Sequence, residues 1–78
     1  MKYWFLDLKI QCGEYEFDSK SVHKGKTFDG EEYAKGFYSD ECEDVDGTYF
    51  FNGGEIAVEV NRCEEITKMQ YNVLKEFV

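Results

Sequence analysis

The sequence predicts a two-layer α+β domain, with a four-stranded antiparallel sheet and two short helices on its apolar face in the order ββαββα. Three observations predict it. Alternating apolar residues mark two hairpins, a capped helical segment follows each hairpin, and the 78 residues suffice for a single domain over 1–78. A meander with the helices on opposite faces of the sheet is the alternative arrangement.

The first hairpin is predicted from "YWFLDLKIQC" and "EYEFDS", which lie on either side of Gly13 and alternate with a period of two. A two-residue turn at Cys12–Gly13 would set Ile10 opposite Tyr15 and bring the apolar residues of both strands to one face. The basic segment "SVHKGK" is then predicted to leave the sheet as irregular chain.

The first helix is predicted in "TFDGEEYAKGFYSD". Asp29 is a good N-cap residue, and Glu32 three positions later completes a capping-box pattern. Phe28 and Tyr33 have the spacing of a hydrophobic staple, and Phe37 continues the same helical face. We therefore expect this face to pack on the sheet.

The second half of the chain repeats the plan. "TYFF" and "EIAVEV" flank "NGG", which indicates a hairpin with Ile56, Val58 and Val60 pointing inward. The segment "ITKMQYNVLKEFV" follows as a helix, with Thr67 as its cap and Gln70 completing the capping box. Its predicted buried stripe consists of Tyr71, Leu74 and Phe77 or Val78.

Acidic residues dominate the charge, and they are unevenly distributed. Seventeen acidic and nine basic residues give a net charge of −8, of which residues 1–39 carry −1 and residues 40–78 carry −7. Such a surface repels nucleic acid and anionic membranes and favours a cationic partner. We therefore expect no direct binding to nucleic acid and no association with a membrane.

The stretch "DECEDVDG" at 40–47 holds five of these acidic residues and is predicted to connect the two hairpin–helix halves. Part of it is similar to a calcium loop, but aligning Gly47 with the invariant glycine puts Cys42 and Gly53 where two ligands must be. An EF-hand is thereby excluded. The remaining interpretations are a solvated connector, a surface that meets a basic partner, or a loop that holds a divalent ion adventitiously.

No catalytic, metal or cofactor site is predicted from the remaining residues. The three cysteines, Cys12, Cys42 and Cys63, are widely spaced, which favours reduced thiols in a cytosolic protein over disulfides or zinc. His23, the only histidine, has no nucleophile or carboxylate assigned to it by the sequence, and the glycines do not form a phosphate-binding pattern. We therefore expect a protein that is not an enzyme.

Four aromatic residues do not fit the predicted inner face. Tyr3, Phe5, Tyr38 and Phe50 fall where neighbouring residues already fill that face. Either the second face of the sheet is partly covered, or these rings form a contact surface beside the acidic residues.

In size, charge and layout, the chain resembles the small acidic proteins encoded by phages and mobile elements, among them many anti-CRISPR proteins. The similarity consists of a hairpin, a short helix around "DGEEYAKGFY" and a second hairpin ending in "EEITKMQYNVLKEF". It implies an inhibitor that acts in the cytoplasm of a bacterial host cell by blocking a nuclease or surveillance complex, often by occupying its DNA-binding groove.

An acidic face with spaced carboxylates can imitate the phosphates of DNA and dock into Lys/Arg grooves. The predicted partner is the basic surface of a nucleic-acid-handling protein complex, for which a CRISPR effector is one candidate. The predicted partner-binding residues are Asp40, Glu41, Glu43, Asp44, Asp46, Glu55, Glu59, Glu64 and Glu65. The protein would act as a monomer or a weak homodimer. The alternatives are an accessory or structural interaction protein whose acidity serves solubility, and a small domain that binds a divalent metal.

Overall fold

The computed structural model describes residues 1–38 and 41–78 and contains one antiparallel sheet. The strands are β1 (Lys2–Cys12), β2 (Tyr15–Gly25), β3 (Glu43–Val45), β4 (Thr48–Phe51) and β5 (Ile56–Ile66), and the helices are α1 (Gly30–Lys35) and α2 (Lys68–Leu74). The strand order across the sheet is β2-β1-β5-β4-β3. The α+β class and the antiparallel sheet are confirmed, whereas the predicted count of four strands is wrong, because β3 is a fifth.

The core lies on one face of the sheet, which we call the inner face. β1 pairs along its length with both β2 and β5, and its residues Leu6, Leu8 and Ile10 are fully or almost fully buried there. Val58 of β5 faces the same side, as the alternation predicted, and Phe51 of β4 completes the centre of the core. Burying one side chain of this size stabilises the fold by roughly 1.5–3 kcal/mol.

The first hairpin forms, but its turn lies one residue later than predicted. Cys12 pairs with Tyr15, so the two central residues are Gly13 and Glu14, and Ile10 faces Phe17. Gly13 has a φ of 61°, which is the backbone that a type II′ turn requires at its first central position. The register therefore shifts by two residues, and because the side-chain period is two, the inner and outer faces stay as predicted.

The segment "SVHKGK" does not leave the sheet where expected, since β2 continues to Gly25. Trp4 explains part of this extension. It pairs with His23 across the strands, and its indole nitrogen donates to the carbonyl oxygen of Gly25 at 3.3 Å. A strand predicted to end near Ser21 is thereby extended along the whole of β1.

Helix α1 begins where it was predicted and lies on the inner face. The Asp29 carboxylate accepts from the backbone amides of Glu31 and Glu32 at 3.0 and 3.4 Å. Gly30 lets the helix approach the sheet closely, because an added Cβ would stand 3.0 Å from both Cys63 Sγ and Leu6 Cδ1. The helix ends at Lys35. Phe37 therefore follows the helix instead of extending it, and the last two residues of the predicted segment lie outside the described residues.

Helix α2 has the predicted capping box but lies on the opposite, outer face. Thr67 Oγ1 accepts from the Gln70 amide at 3.1 Å, and Gln70 Oε1 accepts from the Thr67 amide at 2.8 Å. The Tyr71 ring packs on Tyr3, which points outward because it adjoins the inward Trp4, with ring centroids 4.9 Å apart. The prediction that both helices lie on one face of the sheet is thus wrong, and the alternative, with the helices on opposite faces, is correct.

The predicted buried stripe of α2 is also wrong at its C-terminal end. Phe77 is 78% exposed and Val78 is 45% exposed, while Tyr71 and Leu74 are half-buried. The helix contacts β1 and β2 beside Tyr3, so its last residues extend past the part of the sheet they were expected to cover. Among the described residues, no helix has the length and apolar character needed to cross a membrane.

Candidate functional site

Residues 43–47 of the acidic stretch form one strand and the turn of a hairpin, where the sequence had predicted only a connector. Glu43–Val45 form β3, which pairs with β4, and Asp46 and Gly47 form the turn with φ angles of 53° and 86°. Positive φ at both central positions is typical of a type I′ turn, for which Asp-Gly is a favoured pair. The Asp44 carboxylate accepts from the Gly47 amide at 3.2 Å. The pattern similar to a calcium loop is therefore explained by turn chemistry.

Four acidic side chains lie just before this terminal strand, within it and in its turn, and we call them the acidic edge. They are Glu41, Glu43, Asp44 and Asp46. All four are exposed, and none forms an ion pair with a basic residue in the part of the chain that the structure describes. Asp40, which was predicted to belong to the same group, lies outside the described residues.

The spacing of the acidic edge is close to that of a nucleic-acid strand. A β-strand rises roughly 3.3 Å per residue, so the charges of Glu43, Asp44 and Asp46 fall within roughly 10 Å of chain. One strand of DNA carries a charge about every 3.4 Å along its axis. Glu43 pairs with Phe50 and Asp44 with Tyr49, so their side chains point to opposite faces of the sheet. A basic groove that enclosed the whole edge would therefore meet a similar linear density of negative charge.

Tyr49 fixes the acidic edge to the body of the domain. It lies opposite Asp44 in the β3–β4 pairing and is 3% exposed. Its hydroxyl donates to the Glu31 carboxylate of α1. This hydrogen bond, together with burial, raises the pKa of Tyr49 far above its ordinary value and so favours the protonated hydroxyl that donates to Glu31. The acidic hairpin is thus attached to the core through β4 and to α1 through one side chain.

The other predicted acidic residues have partners within the chain. Glu64 pairs with Arg62 at 2.6 Å and Glu65 pairs with Lys2 at 3.6 Å. Glu55 accepts from Asn52 Nδ2 at 2.6 Å in the turn after β4. Glu59 points to the outer face, as predicted, and is half-buried opposite Lys9.

The structure does not bring Glu64 and Glu65 to the acidic edge. Glu59 pairs with Thr48, the first residue of β4, so β5 beyond Glu59 runs past the β3–β4 hairpin. Glu64 and Glu65 follow five and six residues later, roughly 15–20 Å further along the strand. The predicted carboxylates therefore do not form one face, and the sequence could not show this because it does not specify the register between β4 and β5.

His23 has a neighbour that the sequence analysis missed. Ser21 Oγ and His23 Nε2 are 2.8 Å apart, which the spacing of two residues on one strand face could have indicated. The imidazole stacks on Phe28 at 4.3 Å between ring centroids and meets the edge of Tyr33 at 4.7 Å. Burial lowers the pKa of His23, which favours the neutral ring in this aromatic cluster. The arrangement ties β2 to the segment that leads into α1.

The four aromatic residues left unassigned by the sequence are all half-buried. Tyr3 is covered by α2, the Arg62 guanidinium lies 5.8 Å from the centre of the Phe5 ring, and Tyr38 packs against Phe51 at 5.2 Å between ring centroids. Phe50 lines an open concavity of about 230 Å³ on the outer face. The interpretation that the second face is partly covered is thus correct for Tyr3, and these rings do not form an exposed apolar patch.

Asp7 is a buried carboxylate that the sequence analysis did not single out. It is 6% exposed, and Asn61 Nδ2 donates to its Oδ2 at 3.1 Å. The Lys20 ammonium lies 4.0 Å from Oδ1, which has no hydrogen-bond partner among the described residues. The register between β1 and β5 shifts beside Asp7, so this carboxylate supports an irregular point in the sheet.

No group of three or more His, Cys, Asp or Glu side chains is placed to hold a metal ion within residues 1–38 and 41–78. Comparison with known proteins shows no family: no protein-family model, no curated protein and no solved structure matches the chain at a significant level.

Proposed function

We propose that the protein is a binding module that inhibits a nucleic-acid-handling protein complex by placing its acidic edge in a Lys/Arg groove. The observation that supports this proposal is a set of exposed carboxylates, free of ion pairs among the described residues, that lie in and beside a terminal strand held by a two-residue turn. Rigid presentation matters, because charges that are already in position lose little entropy when they bind.

The proposed mechanism is electrostatic competition. A groove that binds nucleic acid attracts any surface with a similar array of negative charge, and such attraction accelerates association. The net charge of −8 adds a long-range field of the same sign. The protein itself would be repelled by nucleic acid and would act only by occupying the groove.

The resemblance to anti-CRISPR proteins suggests a CRISPR effector in a bacterial cytoplasm as the target. The proposal depends on Glu41, Glu43, Asp44 and Asp46, with Asp40 adjoining them in the sequence. Glu64 and Glu65 contribute less in this proposal, because Arg62 and Lys2 already neutralise them locally.

A variant of the acidic edge can remove charge without changing shape. In E43Q/D44N/D46N, the Asn at 44 still offers an oxygen to the Gly47 amide. Asn at 46 suits the positive φ of the turn, since Asn-Gly is a preferred type I′ pair. Neutralising three acids moves the formal net charge from −8 to −5.

The matched control, E14Q/E32Q/E76Q, has the same net charge but keeps the acidic edge. Target-DNA binding and cleavage by a panel of purified CRISPR effectors would be measured with each protein at several salt concentrations. We expect the wild type and the control to inhibit at least one effector, with affinity that falls steeply as salt rises, and the edge variant to lose inhibition. Equal inhibition by the edge variant and the control would refute competition through this edge.

The accessory-protein alternative has its own support in the position of β3 at the end of the sheet. Charged residues on a terminal strand prevent it from pairing with other strands. If that is their only role, the edge variant would self-associate more than the control in sedimentation experiments, and neither variant would differ from wild type in partner binding.

A further inference from the structure

The second terminal strand, β2, has an open side along its whole length. It spans 11 residues and, within the part of the chain that the structure describes, pairs only with β1. Because Cys12 and Tyr15 close a two-residue turn, the odd-numbered residues of β2 exchange hydrogen bonds with β1. The residues whose backbone N–H and C=O groups point away from β1 are Glu16, Asp18, Lys20, Val22 and Lys24. A second strand could pair with this row.

The charges along β2 are divided between its two halves. Glu14, Glu16 and Asp18 lie at its start, whereas Lys20, Lys24 and Lys26 lie at its end. When two copies of this strand are aligned antiparallel, the acidic half of each faces the basic half of the other. A parallel alignment would set like charges together. The strand is therefore electrostatically complementary to itself in only one direction.

From this complementarity we propose that β2 pairs antiparallel with β2 of a second copy, which forms a two-fold symmetric dimer with one continuous ten-stranded sheet. The two-fold axis would pass near Ser19, Lys20 or Ser21. In each of these registers Glu16 stands directly opposite or diagonal to Lys24 of the second copy, within reach of a cross-strand ion pair. Charged terminal strands rarely pair with unrelated strands. The division of β2 into an acidic and a basic half therefore also favours a second copy of this chain over other partners.

Two exposed aromatic side chains support the same interface. Tyr15 is 78% exposed and Phe17 is 47% exposed, and both point to the inner face at the start of β2. With the axis near Ser19 or Lys20, they lie opposite or diagonal to Ser21 and His23 of the second copy, and this His23 belongs to an aromatic cluster with Phe28. Dimerisation would cover rings that the monomer leaves in water.

The symmetry of this contact closes the assembly at two copies. An isologous pairing of β2 with itself uses the same surface on both subunits, while the acidic edges remain free at the two outer ends of the sheet. A contact between β2 of one copy and β3 of the next would instead continue without end. The proposal does not depend on the proposed inhibitory function.

The test exchanges the charges of Glu16 and Lys24 and measures mass by sedimentation equilibrium over a wide range of concentration. Lys24 is exposed, and Glu16 forms only a surface pair with Lys9, so both positions tolerate substitution. Lys20 is left unchanged because it lies beside the buried Asp7. The variants are E16K, K24E and the double exchange E16K/K24E, and circular dichroism checks that each is folded.

We expect the wild type to form dimers that dissociate on dilution, with E16K and K24E each more weakly associated by about tenfold or more, since each single change sets like charges opposite. E16K/K24E should restore dimerisation, because it exchanges the charges at positions 16 and 24, so that opposite charges again meet across the interface. The variant E43K, on the opposite edge, is the control and should dimerise like the wild type. A monomeric wild type, unchanged single variants, failure of the double exchange to restore the dimer, or assembly beyond two copies would overturn the proposal.

Discussion

Single residues determine where the turns of this protein lie. The sign of the φ angle at one glycine explains why the sequence-based prediction misplaced one turn. "QCGE" accommodates a turn at Cys12–Gly13 or at Gly13–Glu14, and both bring the apolar residues to one face. The second is adopted because Gly13 supplies the positive φ at the first turn position. The faces of the hairpin were therefore predictable from alternation, whereas its register depended on the turn type.

Gly47 should be intolerant of a side chain because of its backbone and not because of crowding. Its φ is 86°, and no heavy atom lies within 4 Å of a Cβ built there. G47A should lower the free energy of unfolding by about 1–2 kcal/mol in urea titrations. G36A is the matched control, because Gly36 has an ordinary φ of −97° and room for a methyl group. We expect it to be neutral or slightly stabilising; equal losses in both variants would contradict this explanation.

His23 should make stability fall on mild acidification. Burial lowers its pKa below the usual 6.5, so the unfolded chain binds a proton before the folded protein does. The stabilisation is complete above about pH 6.5 and is lost as the pH falls towards the folded pKa. H23F keeps a ring beside Phe28 but cannot titrate. Its unfolding free energy should change less than that of the wild type between about pH 7 and pH 5, and identical slopes would count against the assignment.

At the scale of elements, capping signals predicted where helices begin but not which surface they meet. Asp29 and Thr67 cap α1 and α2 as expected. The prediction of a buried stripe along α2 was wrong at its C-terminal end, because a helical period identifies an apolar face but not how much of the sheet lies beneath it. Strand β3 was missed because its three residues are all exposed and give no alternation, although Asp46–Gly47 is a hairpin signal.

The two helices should differ in how strongly their caps affect the whole domain. Each cap is worth about 1 kcal/mol to its helix. Helix α1 contains the buried residues Gly30 and Ala34, whereas α2 contains none. D29A should therefore lower global stability in urea, and T67A should mainly accelerate amide exchange in α2 while β1 stays protected. A larger global loss from T67A than from D29A would contradict this assignment of the core.

At the scale of the whole molecule, the net charge could be read from the sequence but its distribution could not. The pairing registers place Lys24 and Ile66 on either side of Tyr3, at the end of the sheet that α2 covers and away from the acidic edge. Glu64 and Glu65 belong to that end because β5 runs past β4. Long-range pairing set this arrangement, and a count of charges along the chain contains no information about it.

Quantitative capture of partners from a bacterial lysate tests the proposed role of the acidic edge most directly. The baits would be the wild type, the edge variant E43Q/D44N/D46N and the control E14Q/E32Q/E76Q. Mass spectrometry would compare the proteins retained at low and high salt. We expect the wild type and the control to retain basic nucleic-acid-handling proteins that salt releases, and the edge variant to lose them. Retention of the same proteins by the edge variant and the control would contradict the proposed role.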